Sequence, residues 1–379
     1  MELGPAAYVA AFVAALALAW LLTPLMLRIA VRLSVLDVPD DRKAQDSPVP
    51  YLGGVAIVVA FSLTVLVAGA LAGQDASVAP LAAVLGAAVV LALMGLVDDL
   101  RGLSPYLRLA VEAAAGVVVY LTEPAISLPG PPAVGLVVTV LWVVAVTNAF
   151  NLLDNMDGLS AGVAALAAGA FCLVAALNGQ YLVAALSAAV AGCATGFLRH
   201  NFHPAKIYMG DAGSLFLGFL LAAIAVRLKL ADAPREVALF VPVLVLGVAL
   251  LDTTLVTVNR LRHGRSPMQG GRDHISHRLV WVGIPVPVSV GLIYAVAASL
   301  GFLAVLLARL DRVSGLMLVG FVLVVGAGVL ALLSAVPVYD TSRRRQAMLR
   351  VVREHEPEPL AGAGSVGVDE RTASLPPSG

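Results

Sequence analysis

Residues 81–102 read LAAVLGAAVVLALMGLVDDLRG. Seventeen uncharged positions, 81–97, run straight into two adjacent carboxylates, Asp98 and Asp99. A run of that length is about what an α-helix needs to cross the hydrocarbon core of a bilayer, so this stretch reads as a membrane span with a charged exit.

The composition generalises the reading. The chain of 379 residues is 60% hydrophobic and 13% charged, with a mean hydropathy of +0.94, against roughly 25% charged residues in an ordinary soluble domain. The fold expected is an all-α polytopic membrane protein. Apolar stretches lie near 6–30, 52–73, 79–97, 107–121, 134–151, 160–178, 181–198, 212–230, 237–258, 286–308 and 313–337, which makes about eleven transmembrane helices. The fourth is short and carries Glu112, which Arg108 could pair with one turn away.

The basic residues orient these spans. The connections around 28–51, 98–108, 152–159, 199–211 and 259–285, together with the tail, hold 19 of the 24 Lys and Arg. The alternate connections hold only Arg227, Lys229, Arg235, Arg309 and Arg312. Cytoplasmic loops are the Lys- and Arg-rich ones, so the N-terminus is expected outside and the C-terminus in the cytoplasm. Met1–Trp20 ends near an ALA that resembles a secretory cleavage site, but Glu2 stands where a positive region belongs and the apolar run continues to Leu27, so it reads as a retained first span. Residues 1–340 form the expected membrane domain, and 341–379 a basic and then disordered cytoplasmic tail. Cys172 and Cys193 lie inside spans and read as packing residues. With zero net charge and no basic domain, nothing points to nucleic acid.

Polar residues near hydrocarbon need a reason to be there, and they gather in five clusters: DVPDDRKAQDSPVPYLGG (37–54), VDDLRG (97–102), NAFNLLDNMDGL (148–159), NFHPAKIYMGDAGS (201–214) and RLRHGRSPMQGGRDHISHRL (260–279). All five fall in the Lys- and Arg-rich set of connections. Successive helical residues point about 100° apart, so Asp98 and Asp99 read as having separate tasks; a solvated helix exit would also explain them. Asn148, Asn151 and Asp154 share a helix face, which a plain Asn-Asp-Gly turn does not account for. Asp211 lies between Gly210 and Gly213 at a helix start, where it could be an N-cap or hold Mg²⁺ against phosphate. His274 and His277, three apart in an Arg-bearing loop, suit metal or phosphate, although a basic interfacial loop is the ordinary explanation.

Carboxylates near Gly-rich helix starts, with Arg and His beside them, are what Mg²⁺-dependent phosphoryl transfer requires. No Walker-type GxxxxGK[ST] motif occurs, which argues against nucleoside triphosphate use. A secondary transporter could also carry intramembrane Asp and Asn, but would place them at broken helices in mid-bilayer. An inactive membrane scaffold of the same fold is a further alternative.

In order along the chain, the motifs at 37–54, 97–105 (VDDLRGLSP), 148–162 (NAFNLLDNMDGLSAG) and 201–219 (NFHPAKIYMGDAGSLFLGF) and the Arg- and His-bearing loop resemble the polyprenyl-phosphate N-acetylhexosamine-1-phosphate transferase family. The resemblance covers about residues 20–335. It implies a multi-pass enzyme of the cell (inner) membrane with a cytoplasmic site, in which a polyprenyl phosphate attacks the β-phosphorus of a UDP-N-acetylhexosamine and UMP leaves. It implies Asp98 as base or orienting group, Asp99 in support and Asp211, with Asn151, on Mg²⁺, for which Mn²⁺ could substitute. Asn151, Asp154, Asp157 and Asn201 would shape the nucleotide pocket and Tyr208 would stack on uracil. Arg42, Lys43 and His274 would bind substrate, and His277 would join the catalytic groups. A homodimer is a further family expectation. The chain departs from the family at Asp40, Gln45 and Tyr51, where Asn, His and Arg are usual, and at Ser276, which takes a His position in HISH. The three-His run of the phospho-MurNAc-pentapeptide branch is absent, which favours N-acetylglucosamine 1-phosphate as the group transferred. The same reaction with a modified UDP-hexosamine or UDP-MurNAc-pentapeptide is the alternative.

Overall fold

Helices dominate because lipid offers no partner for backbone N–H and C=O groups, and a helix satisfies them within its own segment. The computed structural model describes residues 5–37, 48–72, 78–122, 131–230 and 233–339. Arg42, Lys43 and the tail 341–379 therefore lie outside the described residues. The chain divides into a body ending at Val336 and a unit from Pro337 onward, and every described helix belongs to the body.

Among the described residues, ten helices are long and apolar enough to span a membrane: α1 (Pro5–Arg32), α2 (Gly53–Ala72), α3 (Val78–Arg101), α4 (Pro105–Thr122), α5 (Pro132–Leu153), α6 (Leu159–Leu177), α7 (Tyr181–Asn201), α8 (Gly210–Arg227), α13 (Val286–Leu307) and α14 (Arg312–Ser334). Each follows an apolar run of the sequence. The short fourth span is present, and α1 continues unbroken past the cleavage-like ALA. Between α8 and α13 lie the short α9 (Arg235–Ala238) and α10 (Phe240–Val245), then α11 (Gly247–Arg262) and α12 (Ile275–Trp281).

The ninth expected span, 237–258, is not one straight helix. The segments 235–245 and 247–262 meet at a bend of 75°. Pro242 lies in α10 and Gly247 opens α11; proline withholds an N–H and crowds the preceding turn, and glycine tolerates the redirected backbone.

α8 is the centre of the body. Every residue from Ala212 to Arg227 is buried, and α2, α3 and α5 pack around it. α14, by contrast, exposes Phe321, Val324 and Leu332, as expected of a helix whose apolar surface faces lipid. A two-stranded antiparallel ladder, β1 (Leu36–Asp37) with β2 (Val49–Pro50), precedes α2.

Hydrogen bonds sort the connections into two ends of the bundle. At one end Tyr51 reaches the carbonyl of Asp99 (3.3 Å), Asp157 meets Ala205 N (3.0 Å) and Ser276 meets Asn155 (2.6 Å). At the other, Gln180 accepts from Lys229 N (2.9 Å), Arg309 donates to the carbonyl of Leu177 (2.7 Å) and Arg312 pairs with Glu236 (3.2 Å). The first end collects connections of the Lys- and Arg-rich set, the second those of the alternate set.

Candidate active site

Four helix ends meet at the first of these ends: the last turn of α3, the first of α4, the last of α5 and the first of α8. Close approach of α3 to α8 is possible because residue 95 is glycine; a Cβ there would stand 2.5 Å from the backbone of Asp211. One turn farther on come the two adjacent carboxylates, and their side chains part.

Asp99 turns to α8. Its Oδ1 accepts the backbone N–H of Asp211 (3.1 Å) and its Oδ2 that of Ala212 (3.4 Å). The first N–H groups of a helix have no partner within it, and a carboxylate there is favoured by the helix dipole as well. The cap of α8 thus comes from another helix. Asp211 itself is inside the first turn and is not the N-cap. Gly210, at φ +70°, opens α8 in a conformation that L side chains rarely adopt, and a Cβ on it would come within 2.5 Å of Asp99 Oδ2.

Asp98 turns to α4. It accepts from the backbone N–H of Leu103, and its Oδ2 lies 2.6 Å from Arg108 Nη1. The same Nη1 lies 3.1 Å from Asp211 Oδ2, while Nη2 donates to Asn151 Oδ1 at 2.8 Å. Asn151 Nδ2 donates to Asp211 Oδ1 (2.7 Å) and to Ser214 Oγ (3.0 Å). Asp98, Asp211 and Asn151 are therefore gathered around one guanidinium, whose planar fork can bond several oxygens at once. The local pairing of Arg108 with Glu112 is not what forms. Glu112, fully buried, instead accepts a hydrogen bond from Asn148.

Asp154 is the C-cap of α5. Burial pushes its carboxyl up to about 8, and the charges of Asp211, Asp99 and Asp157 push the same way. Asp157 accepts from Ala205 N at 3.0 Å and pairs with His203 Nδ1 at 2.8 Å, joining the α5–α6 and α7–α8 loops. Asn201 is buried and braces those loops from beneath: Oδ1 accepts from Gly158 N (3.1 Å) and Nδ2 donates to the carbonyl of Ile207 (3.0 Å). Tyr208 is held through its backbone, donating to Pro50 O (2.7 Å) and accepting from Gly53 N (3.0 Å). Its half-buried ring keeps a phenol whose pKa is pushed up to about 12, first by burial and then by Asp157, Asp37 and Asp154.

His274 and His277 stand at the start of α12 and within its first turn, with ring centroids 5.9 Å apart. Ser276, buried between them, donates to Asn155 Oδ1, so the residue at the family's His position ties α12 to the loop holding Asp154 and Asp157. His277 Nδ1 is enclosed without a hydrogen-bond partner among the described residues. Burial, then His274 and Arg272, lower the pKa of His277 to about 4.

Two members of this arrangement escape a reading of the sequence. Arg108 has an acid one turn away, and only the fold shows its three long-range partners. Asp252, in α11, does carry a signal: a lone carboxylate in an apolar stretch (LLDTTLV, 250–256) is costly enough to need a partner.

The donor set fits a hard divalent cation in chemistry. Among the described residues no three His, Cys, Asp or Glu side chains surround one point closely enough to hold a metal by themselves. Mg²⁺, however, keeps several waters and takes one or two carboxylates together with substrate phosphates; the Asp211 carboxylate is a ligand of that kind, whereas Asn151, with its carbonyl oxygen on Arg108 and its NH₂ on Asp211, would have to turn its amide over to join it.

A model of the glycosyl transferase family 4 matches residues 81–229, the stretch that supplies α3 to α8. A Bacillus subtilis protein named "Probable undecaprenyl-phosphate N-acetylglucosaminyl 1-phosphate transferase" is 32% identical over 75% of this chain and 80% of its own length. The decaprenyl-phosphate N-acetylglucosaminephosphotransferase of Mycolicibacterium smegmatis is 32% identical over 78% of this chain and 81% of its own. The phospho-N-acetylmuramoyl-pentapeptide-transferase of Bacillus pumilus is 32% identical over 55% and 69%. The ordered motifs, the four helix ends that carry them and these relatives lead to one conclusion: the chain belongs to the glycosyl transferase family 4.

Proposed function

We propose that this membrane protein transfers N-acetylglucosamine 1-phosphate from UDP-N-acetylglucosamine to a polyprenyl phosphate. An oxygen of the lipid phosphate attacks the β-phosphorus, the bond from that phosphorus to the bridging oxygen breaks, and UMP leaves with the bridging oxygen. The observation that carries the reading is the convergence of Asp98, Asp211 and Asn151 on Arg108 at the ends of four apolar helices. A lipid nucleophile and a water-soluble nucleotide can meet only at such a boundary, and the names of the relatives supply the substrates.

Arg108 offsets the repulsion between carboxylates and incoming phosphates. Asp98, fixed by Leu103 N and Arg108, orients the lipid phosphate, and Asp99 holds the first turn of α8 in place. Asp211 with Asn151 would hold Mg²⁺, or Mn²⁺ in its stead, which when bound neutralises diphosphate oxygens. Asp154 and Asp157 shape the nucleotide pocket, braced by Asn201. Tyr208, neutral across the physiological range, offers its ring to uracil, and His274 and His277 complete the donor side.

We place this end of the bundle in the cytoplasm of the cell (inner) membrane, with the N-terminus outside, because it gathers the Lys- and Arg-rich connections. The Ser276–Asn155 bond supports counting the bent pair as an eleventh span: α8 leaves this end at Gly210, and the chain must return to it by residue 276. A transporter is the poorer reading although the body has one broken helix, since Asp98, Asp99 and Asp211 stand at other helix ends. The test is transfer of label from the sugar of UDP-N-acetylglucosamine into organic-extractable lipid by the purified protein. Label should appear only when polyprenyl phosphate and Mg²⁺ are both present; none, with nucleotide still bound, would favour a scaffold.

A further inference from the structure

Asp252 lies on α11, 1% exposed, and both of its carboxylate oxygens are engaged by one neighbouring segment. Oδ2 stands 2.7 Å from Nδ1 of His274, itself 4% exposed. Oδ1 accepts the backbone N–H of Ile275, the first residue of α12, at 2.6 Å. A carboxylate hydrogen-bonded to one ring nitrogen of a histidine keeps the proton there and sets which nitrogen the ring presents elsewhere. From α12 the path continues to the site: Ser276 Oγ donates to Asn155 Oδ1 (2.6 Å), and Asn155 Nδ2 donates to the carbonyl of Leu152 (2.7 Å). Asn155 follows Asp154 directly. Arg278 fixes the far side of α12 by donating to the carbonyls of Asp273 (2.8 Å) and Leu333 (2.7 Å).

We propose that Asp252 is a positioning residue of the transfer site: it keeps the His274 proton on Nδ1 and fixes the start of α12, so that the histidine pair stands against the loop of Asp154 and Asp157 where the donor's diphosphate binds. The proposal rests on the phosphosugar-transferase reading for its substrate, not for its geometry. Asp252→Asn keeps size and shape. Its amide, however, can accept from only one of the two donors with its oxygen, so an NH₂ faces the other; where that other is His274, the ring must move its proton to Nε2.

The test is a double-mutant cycle with Asp252→Asn and His274→Gln, read by UMP release at saturating and limiting UDP-N-acetylglucosamine, together with ¹⁵N chemical shifts of the labelled histidines, His274→Gln providing the assignment. Loss of the carboxylate behind a metal-ligating histidine typically costs about 10- to 100-fold, and a loss of the same order is expected for the carboxylate behind His274. We expect each variant to lose roughly that much in kcat, the double variant to be no worse than about twofold below the poorer single one, and the parent His274 to be protonated on Nδ1. Multiplying losses, or an Asp252→Asn enzyme within twofold of the parent, would overturn the proposal. A parent His274 protonated on Nε2 would overturn it whatever reaction the protein performs, and that measurement needs neither turnover nor a folded Asp252→Asn variant. A parent that releases no UMP while its His274 carries the Nδ1 proton would instead count against the reaction.

Discussion

The carboxylate of Asp99, at the end of α3, accepts the backbone N–H of Asp211, at the start of α8, at 3.1 Å. That bond makes the position of one proposed site carboxylate depend on another from a different helix. It also explains why a stretch as apolar as 81–97 ends in two acids: one caps α8 and the other meets the guanidinium of Arg108.

Gly95 is what lets α3 come close enough for this. Gly95→Val should force α3 away from α8, since even a Cβ would meet the Asp211 backbone at 2.5 Å. Overpacking of a tight contact costs about 1–3 kcal/mol. A lower thermal midpoint in detergent and a lower kcat are both expected, and an unchanged kcat would show that the approach is not needed for the site.

Arg108→Gln should remove the cation shared by Asp98, Asp211 and Asn151. Leaving two partly buried carboxylates uncompensated is expected to cost roughly 3 kcal/mol or more, and UMP release should fall at least 100-fold. Arg108→Lys keeps the charge but not the fork and should fall in between. Equal activity of all three proteins would remove Arg108 from the site.

Asp211→Asn should abolish Mg²⁺-dependent turnover while the protein still folds, because the amide keeps the shape of the hydrogen-bonded group. Titration of Mg²⁺ against UMP release is the check. A variant that reaches parental rates at tenfold higher Mg²⁺ would mean that Asp211 tunes the metal without being required for it.

Tyr208→Ala should raise KM for the UDP-sugar by roughly 5- to 150-fold, the equivalent of the 1–3 kcal/mol that base stacking on an aromatic contributes. Its kcat should change far less. If KM for the sugar nucleotide stays put, uracil lies elsewhere.

The pH dependence of stability gives a sign to test at His277. Its folded pKa is lowered to about 4 from an ordinary 6.5, so between those values the unfolded chain binds a proton that the folded one does not. Stability then falls as pH drops from about 6.5 towards 4 and is unaffected by this group above that window. Asp154, raised to about 8, contributes with the opposite slope over part of the same range. The informative quantity is therefore the thermal midpoint of the parent minus that of His277→Gln, which should rise as pH goes from 5 to 7; a difference that does not change with pH would contradict the lowered pKa.

How much of the molecule is legible in its sequence depends on which interactions are local. The spans are, because a helix in lipid must be apolar along its whole length, and α1 to α8, α13 and α14 lie where the runs of apolar residues do. The bend between α10 and α11 is not: FVPVLVLGVALLD (240–252) is apolar up to its last residue, and hydropathy does not register what Pro242 and Gly247 do to a backbone. Clustering of Asp98, Asp99, Asn151 and Asp211 can be anticipated from their motifs and from the common side of their loops. The partners of Arg108 cannot, since the candidate one turn away, Glu112, is as good on sequence grounds and only the packing of α5 against α4 gives that acid to Asn148. Asn201 is expected beside the nucleotide; its side chain is buried between two backbone groups, a role that depends on loops distant in sequence.

The most direct test of the central claim is the identity of the nucleotide product when purified protein meets undecaprenyl phosphate, Mg²⁺ and UDP-N-acetylglucosamine. Attack at the β-phosphorus predicts UMP, formed in equal amount to a lipid that carries two phosphates and the sugar. Release of UDP, with the sugar joined to a lipid that carries a single phosphate, would contradict the proposed reaction, because it would place the attack at the sugar carbon and leave the arrangement around Arg108 without its proposed task.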